Sequence, residues 1–274
     1  MNAIVSDPEL VRQASLHAIA APAVEIRNAA MDYGGTVLAL ADVSLTLREG
    51  EFLSIVGPSG CGKSTLLKLI SGLAAPAAGE VLVRGQRVTE TPPGIGFMFQ
   101  RDVLLPWATV RENIAVGLEC AGHPAGTREQ RVDELLKLIG LEQFGGYYPR
   151  ALSGGMRQRV ALCRILAYSP DIYLMDEPFG ALDAQTKLLM GQELLSIWSR
   201  FRKGIIFVTH DIEEAVSLSD RVVVMTGRPG RIKSEYDIDL PRPRDSRHVR
   251  KLPAFHRYVD AIWNDIMSES VRAA

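Results

Sequence analysis

The first clear pattern along the chain is an alternation of apolar and polar positions, Val43-Ser44-Leu45-Thr46-Leu47, within a strand-like region from Val24 to Val56. A Glu49-Gly50 turn precedes the apolar run Phe52 to Val56, which reads as a buried strand, and a glycine-rich loop follows it directly. Upstream, Ser6 to Ala20 has the marks of a short helix: Ser6 and Glu9 are spaced as a capping box, Pro8 falls in the first turn and Pro22 ends it. Between about Leu105 and Arg150 the period changes. Thr109 to Ala121 and Arg128 to Ile139 carry helical spacing, bounded by Pro106, by Gly122-His123-Pro124 and by Gly140, and predict a mostly helical insertion. Strand and helix then alternate, with strands at Ile172 to Met175, Ile205 to Thr209 and Val222 to Met225, as expected of a buried parallel sheet. After Pro253, the residues Phe255, Tyr258, Val259, Ile262, Trp263 and Ile266 form one apolar stripe at helical spacing, which reads as a terminal helix docked on its own domain. The basic run Arg242, Arg244, Arg247, Arg250 and Lys251 reads as a solvated face.

Composition narrows the function classes. The chain has 274 residues, 47% hydrophobic and 23% charged, enough to bury a core in one large domain or two closely joined ones. A net charge of -1 gives no positive field to hold a polyanion, so nucleic acid is not an expected partner. The longest apolar runs fall well short of the roughly 20 residues that cross a bilayer, so any link to a membrane is expected to run through another polypeptide. Cys61, Cys120 and Cys163 lack the spacing of zinc sites or disulfide frameworks, which fits a reducing cytosol. Asp7 and Glu9 stand where a secretion signal would carry Lys or Arg, and export is not expected.

Three stretches carry chemistry. Gly57-Pro58-Ser59-Gly60-Cys61-Gly62-Lys63-Ser64-Thr65 matches G-x-x-x-x-G-K-[ST] between a strand and a helix. Its glycines let backbone N–H groups point at phosphate oxygens, Lys63 supplies a mobile cation, and Ser64 offers a hydroxyl to Mg²⁺. The strand Ile172 to Met175 ends in Asp176-Glu177, two adjacent carboxylates that are costly unless a cation or a proton transfer uses them. Asp176 suits Mg²⁺ and Glu177 the attacking water; by itself the pair also fits a solvated strand end. Ser153-Gly154-Gly155 opens a helix with a Ser cap and bare N–H groups, which makes a second anion site in one chain. Alone it would be only a cap. Cys61, close to a helix N-terminus, is expected to be an activated thiol.

With all three stretches in this order, Val24 to Met225 resembles the ATP-binding subunits of ABC transporters, and Leu152 to Gln158 looks like their signature. The resemblance implies an α/β fold: a P-loop core with an N-terminal antiparallel β portion and a helical subdomain at about 105–167. Around this ATPase domain, 24–235, lie an N-terminal extension, 1–23, and a C-terminal loop and amphipathic helix, 236–274. It implies that Tyr33 stacks on adenine, that Gly57 to Thr65 wrap the phosphates of ATP, and that Gln100 senses Mg²⁺ and water. It further implies that Asp176 supports the metal, Glu177 is the general base, Asp183 couples two ATP sites and His210 reaches the γ-phosphate. Partners implied are a second ATPase subunit as a homodimer, membrane permease subunits met around Gln100 to Trp107, and, indirectly, a solute-binding protein. The chain would lie peripherally on the cytoplasmic face of the inner membrane. Phe99 to Val110, Arg228 to Ile232 and Leu240 to Arg244 look like the branch that imports nitrate, sulfonates, taurine and related anions. A soluble ABC ATPase acting on DNA or ribosomes is the rival reading, but the long coiled-coil insertion and the second ATPase half of those proteins are missing. A P-loop kinase or GTPase would leave the Ser153 cap without a purpose.

Overall fold

The computed structural model describes residues 22–273, without the side chains of Ser246, Arg247 and 269–273. The expected helix from Ser6 to Ala20 lies outside the described residues. Among the described residues, ten strands form two sheets. The first is antiparallel, in the order β2-β1-β4-β5, with β1 at Val24–Tyr33, β2 at Val37–Leu47, β4 at Ala78–Val83 and β5 at Gln86–Arg87. The alternation at Val43 to Leu47 has its physical cause here: Val43, Leu45 and Leu47 are buried while Ser44 and Thr46 face water.

The second sheet runs β10-β9-β3-β8-β7-β6, with β3 at Phe52–Val56, β6 at Ile95–Met98, β7 at Ile172–Asp176, β8 at Gly204–Val208, β9 at Arg221–Met225 and β10 at Ile232–Asp237. All neighbours pair in parallel except β10, which is antiparallel to β9. Strands β3, β7, β8 and β9 are buried throughout, which explains why they read as unbroken apolar runs. Because β3 lies between β8 and β9, the chain reverses its winding there. The loops leaving β3, β6, β7 and β8 gather at one edge, the place where open α/β sheets bind ligands.

Helix α1, Lys63–Ile70, follows the loop after β3. The helical portion holds α2, Val110–Cys120, α3, Ala125–Leu138, and α4, Gly154–Tyr168. Thr109 and Glu112 close a capping box at the start of α2. Where α2 crosses α4, a Cβ on Gly117 would stand 2.2 Å from the Arg164 carbonyl oxygen, so only glycine permits this approach. Helices α5, Ala184–Phe201, and α6, Ile212–Leu218, connect the last parallel strands.

The C-terminal segment folds back onto the parallel sheet. After α7, Ser246–Val249, helix α8, Pro253–Ala273, buries Phe255, Tyr258 and Ile262 against Val56, Val222 and Val224. The stripe read from sequence therefore packs on the parallel sheet except at Trp263, which is 54% exposed, and the expected division after residue 235 falls inside β10. The arginines at 242 and 244 correct the solvated-face reading. Arg242 pairs with Asp220 at 2.7 Å and Arg244 is buried, donating to the carbonyls of Ser219 and Ile238. Buried guanidinium donors need fixed acceptors, and a run of basic letters cannot show that carbonyls supply them.

Candidate functional site

The loop between β3 and α1 wraps around Lys63. Its ammonium, almost fully buried, donates to the carbonyls of Gly57 at 2.8 Å and Pro58 at 2.9 Å. Gly62, at φ 101°, turns the chain into α1 where a side chain would collide with Leu40 at 2.6 Å. No side chain caps α1, so its first N–H groups face the cleft as bare donors. Tyr33, at the end of β1 and partly exposed, brings its hydroxyl to 3.3 Å from Thr65 Oγ1. Tyr33, Ser59, Gly60, Gly62, Lys63, Ser64 and Thr65 line a cleft of about 350 Å³ together with Gln100 and Glu177.

Sequence reasoning missed Arg228, which also lines this cleft and donates to the Gly60 carbonyl at 3.4 Å. The signal was present in Arg228-Pro229-Gly230-Arg231. Gly230 exchanges backbone hydrogen bonds with Ala39 and Ala41, and a Cβ there would lie 1.9 Å from the Cys61 carbonyl oxygen. The stretch is a buttress behind the P-loop.

Across the cleft, Asp176 is buried at the end of β7. Burial pushes its carboxyl upward; a hydrogen bond from Ser64 opposes this, Glu177 adds to it, and Lys63 opposes it. A buried carboxylate and a hydroxyl converging beside a lysine form an oxygen donor set suited to a hard divalent cation. Glu177 follows at φ 48°, a conformation non-glycine residues rarely take. Three bonds hold it: its N–H donates to the Val208 carbonyl at 2.9 Å, and its own carbonyl accepts from Gln158 Nε2 and from the Gly180 N–H, each at 3.1 Å. Gln158 also accepts from the Ala181 N–H at 2.9 Å, which ties α4 to the turn after β7. The half-buried Glu177 carboxylate then meets Gln100 Nε2 at 3.3 Å and His210 Nδ1 at 3.3 Å on the same oxygen, Oε2. Three residues from the ends of β6, β7 and β8 thus converge on one point.

The structure does not bring Ser153, Gly154, Gly155 or Asp183 into the P-loop cleft. Ser153 caps α4 by accepting from the Met156 N–H at 3.2 Å, and Gly154 borders a second depression of about 450 Å³ that shares Gln100 and Glu177 with the first. Asp183 caps α5, accepting from the Thr186 N–H at 3.0 Å and its hydroxyl at 2.7 Å, and these bonds hold its carboxyl below the usual range.

Cys61 corrects the expectation of an activated thiol. It is 1% exposed, and burial pushes the thiol up by more than nearby Lys63 pulls it down. Its position near a helix N-terminus was legible; the Gly230 backbone covering it was not. Brief maleimide treatment of the native protein is expected to modify exposed Cys120, leaving Cys61 and Cys163 until denaturant is added. Peptide mass spectrometry checks this, and labelling of Cys61 as fast as Cys120 would contradict the buried P-loop thiol.

A family profile described as ABC transporter matches residues 40–180. The chain is 45% identical over 250 residues to the taurine import ATP-binding protein TauB of Roseobacter denitrificans, covering 89% of this chain and 93% of that one. It is 46% identical over 233 residues to the nitrate import ATP-binding protein NrtD of a Synechocystis strain, covering 83% and 88%. Among solved structures, the dimeric post-hydrolysis state of the ATP-binding cassette MJ0796 bound to ADP and Pi is similar, with a TM-score of 0.72, 34% identity, and coverage of 80% of this chain and 100% of that one.

Proposed function

The chain belongs to the ABC transporter family, and from that premise we propose that it is the ATP-hydrolysing subunit that energises import of a small anion through separate membrane subunits. The observation that carries the chemistry is the meeting of Gln100, Glu177 and His210 on one carboxylate oxygen beside the P-loop. Relatives named for taurine and nitrate import support the anion class. They disfavour the rival role on DNA or ribosomes.

In this reading, Lys63 and the first N–H groups of α1 bind the β- and γ-phosphates, and Tyr33 supplies the adenine platform. Ser64, Asp176 and Gln100 would hold Mg²⁺, which when bound supplies neutralisation of charge on the phosphate oxygens. Glu177 accepts a proton from the water that attacks the γ-phosphate. Gln100 orients that carboxylate, and His210 stands where it can donate to the transferring group. The strained backbone of Glu177, pinned by Val208 and Gln158, fixes the aim of the base.

No helix among the described residues is long and apolar enough to cross a membrane. The link to membrane subunits is assigned to the segment after Gln100, where Trp107 is 74% exposed and Leu104 packs against the core. An exposed Trp on a segment anchored beside the catalytic Gln suits an interface that senses ATP. The protein would then sit peripherally at the cytoplasmic face of the membrane. Pull-down from detergent-solubilised membranes is expected to recover an integral membrane partner that raises the ATPase rate. Trp107→Ala should leave the basal ATPase within about twofold while weakening assembly or transport severalfold; unchanged transport would move the contact elsewhere.

A further inference from the structure

A second cationic site lies away from the P-loop. Near the C-terminal end of α5, Trp198 is buried and donates its indole N–H to the Gly50 carbonyl at 3.1 Å. Two guanidinium groups lie over its ring, Arg242 at 4.0 Å and Arg202 at 4.5 Å from the centroid. Arg242 commits Nε and Nη2 to Asp220 and the Leu218 carbonyl. Arg244 gives its Nη groups to main-chain carbonyls, while its Nε has no partner. Arg202 forms no ion pair among the described residues, while Asp220 pairs with Arg242 and, with Asp239, acts on Arg244.

These arginines line a cleft of about 490 Å³ between α5 and the 242–244 segment, with Gln192 and Ser196 but no acidic side chain among the described residues. Charge in the group is frustrated. Burial first, then Arg242, pushes Arg244 down to about 10, and burial lowers Arg242 against the opposing pull of Asp220, with a smaller repulsion from Arg202. Asp220 and Asp239 both act on Arg244, and Asp245 accepts from Gln192 at the rim, but none of these carboxylates lines the cleft, where the exposed Arg202 guanidinium offers a planar fork that matches the oxygens of a sulfate, sulfonate or phosphate group. None of these residues lines the P-loop cleft.

We propose that the cleft between α5 and the 242–244 segment is an anion-binding site that takes a small ligand bearing a sulfate, sulfonate or phosphate group, recognised by Arg202 and the remaining Nη1 of Arg242 beside Trp198, with buried Arg244 adding positive charge. The site is independent of nucleotide binding. It can be read directly, because replacing Trp107 and Trp263 by Phe leaves Trp198 as the sole tryptophan of the three.

Titrating that chain with sodium sulfate, at ionic strength held constant with sodium chloride, should change Trp198 emission saturably, with half-saturation at about 1 mM or below. Arg202→Glu, on an exposed side chain, should raise the half-saturation at least tenfold without lowering the melting temperature. A calorimetric difference between the intact chain and Arg202→Glu should show the same loss, with any contribution of the P-loop cancelling. Inorganic phosphate and methanesulfonate distinguish the sources: response to phosphate but not methanesulfonate assigns a free dianion, and response to both assigns the wider oxyanion class. A response to sulfate no larger than that to chloride, or equal sulfate binding in Arg202→Glu by both measurements, would overturn the proposal.

Discussion

Lys63→Ala is expected to weaken ATP binding by about ten- to a hundredfold and to lower turnover by a further 10²–10³, since one cation serves both the bound phosphates and the charge of the transition state. In this structure the ammonium is nearly buried and bridges two carbonyls of its own loop, so it is already positioned where phosphate oxygens arrive. Truncation removes that charge and also frees the loop. The two effects separate in a thermal melt without nucleotide, which reports the loop alone, and a nucleotide titration, which reports both. Alanine at position 63 with wild-type affinity for ATP would sink the P-loop assignment, whatever the melt shows.

Much of this was legible in the sequence because the catalytic edge is made of strand ends. An apolar run of five residues predicts a buried strand, and the first polar residues after it must emerge at the sheet's carboxyl edge. That logic put the P-loop from Gly57 and the pair Asp176-Glu177 at strand ends, whereas Gln100 and His210 entered only through the family resemblance; the structure gathers all five at the end of the same sheet. Strand β10 was harder to read. Ile232–Asp237 is antiparallel at the sheet's edge and half-exposed, so its letters Ile-Lys-Ser-Glu-Tyr-Asp lack an apolar run. Contacts between distant residues were out of reach. Gln158 looked like one more helix residue, yet it clasps Glu177 and Ala181 from 19 and 23 positions away. Arg244 and Cys61 failed in the same way. Each has a local pattern that suggests exposure or reactivity, and each is covered by backbone that arrives from elsewhere in the chain.

The position of Ser153 gives the last expectation its force. Gly154 borders a depression that shares Gln100 and Glu177 with the P-loop cleft, yet Ser153 does not line that cleft, and its side chain caps only the Met156 N–H of the first turn of α4. A second copy arranged head to tail would bring Ser153 of one chain against the γ-phosphate held by Lys63 of the other, and two ATP molecules would bridge the pair. Breaking the terminal phosphate bond would then loosen the dimer, whereas blocking that step should trap it. Glu177→Gln retains shape and hydrogen bonding to Gln100 but removes the base, so hydrolysis should fall by about a hundredfold or more while ATP still binds. Size-exclusion chromatography with light scattering should show this variant as a monomer without nucleotide and as a dimer in ATP. Adding Ser153→Arg places a long cation where the cap meets phosphate across the interface, and the ATP-dependent shift should disappear. ATP hydrolysis at the wild-type rate in Glu177→Gln would remove Glu177 from the chemistry. Persistence of the ATP-induced dimer in the doubly substituted chain would remove Ser153 from the interface.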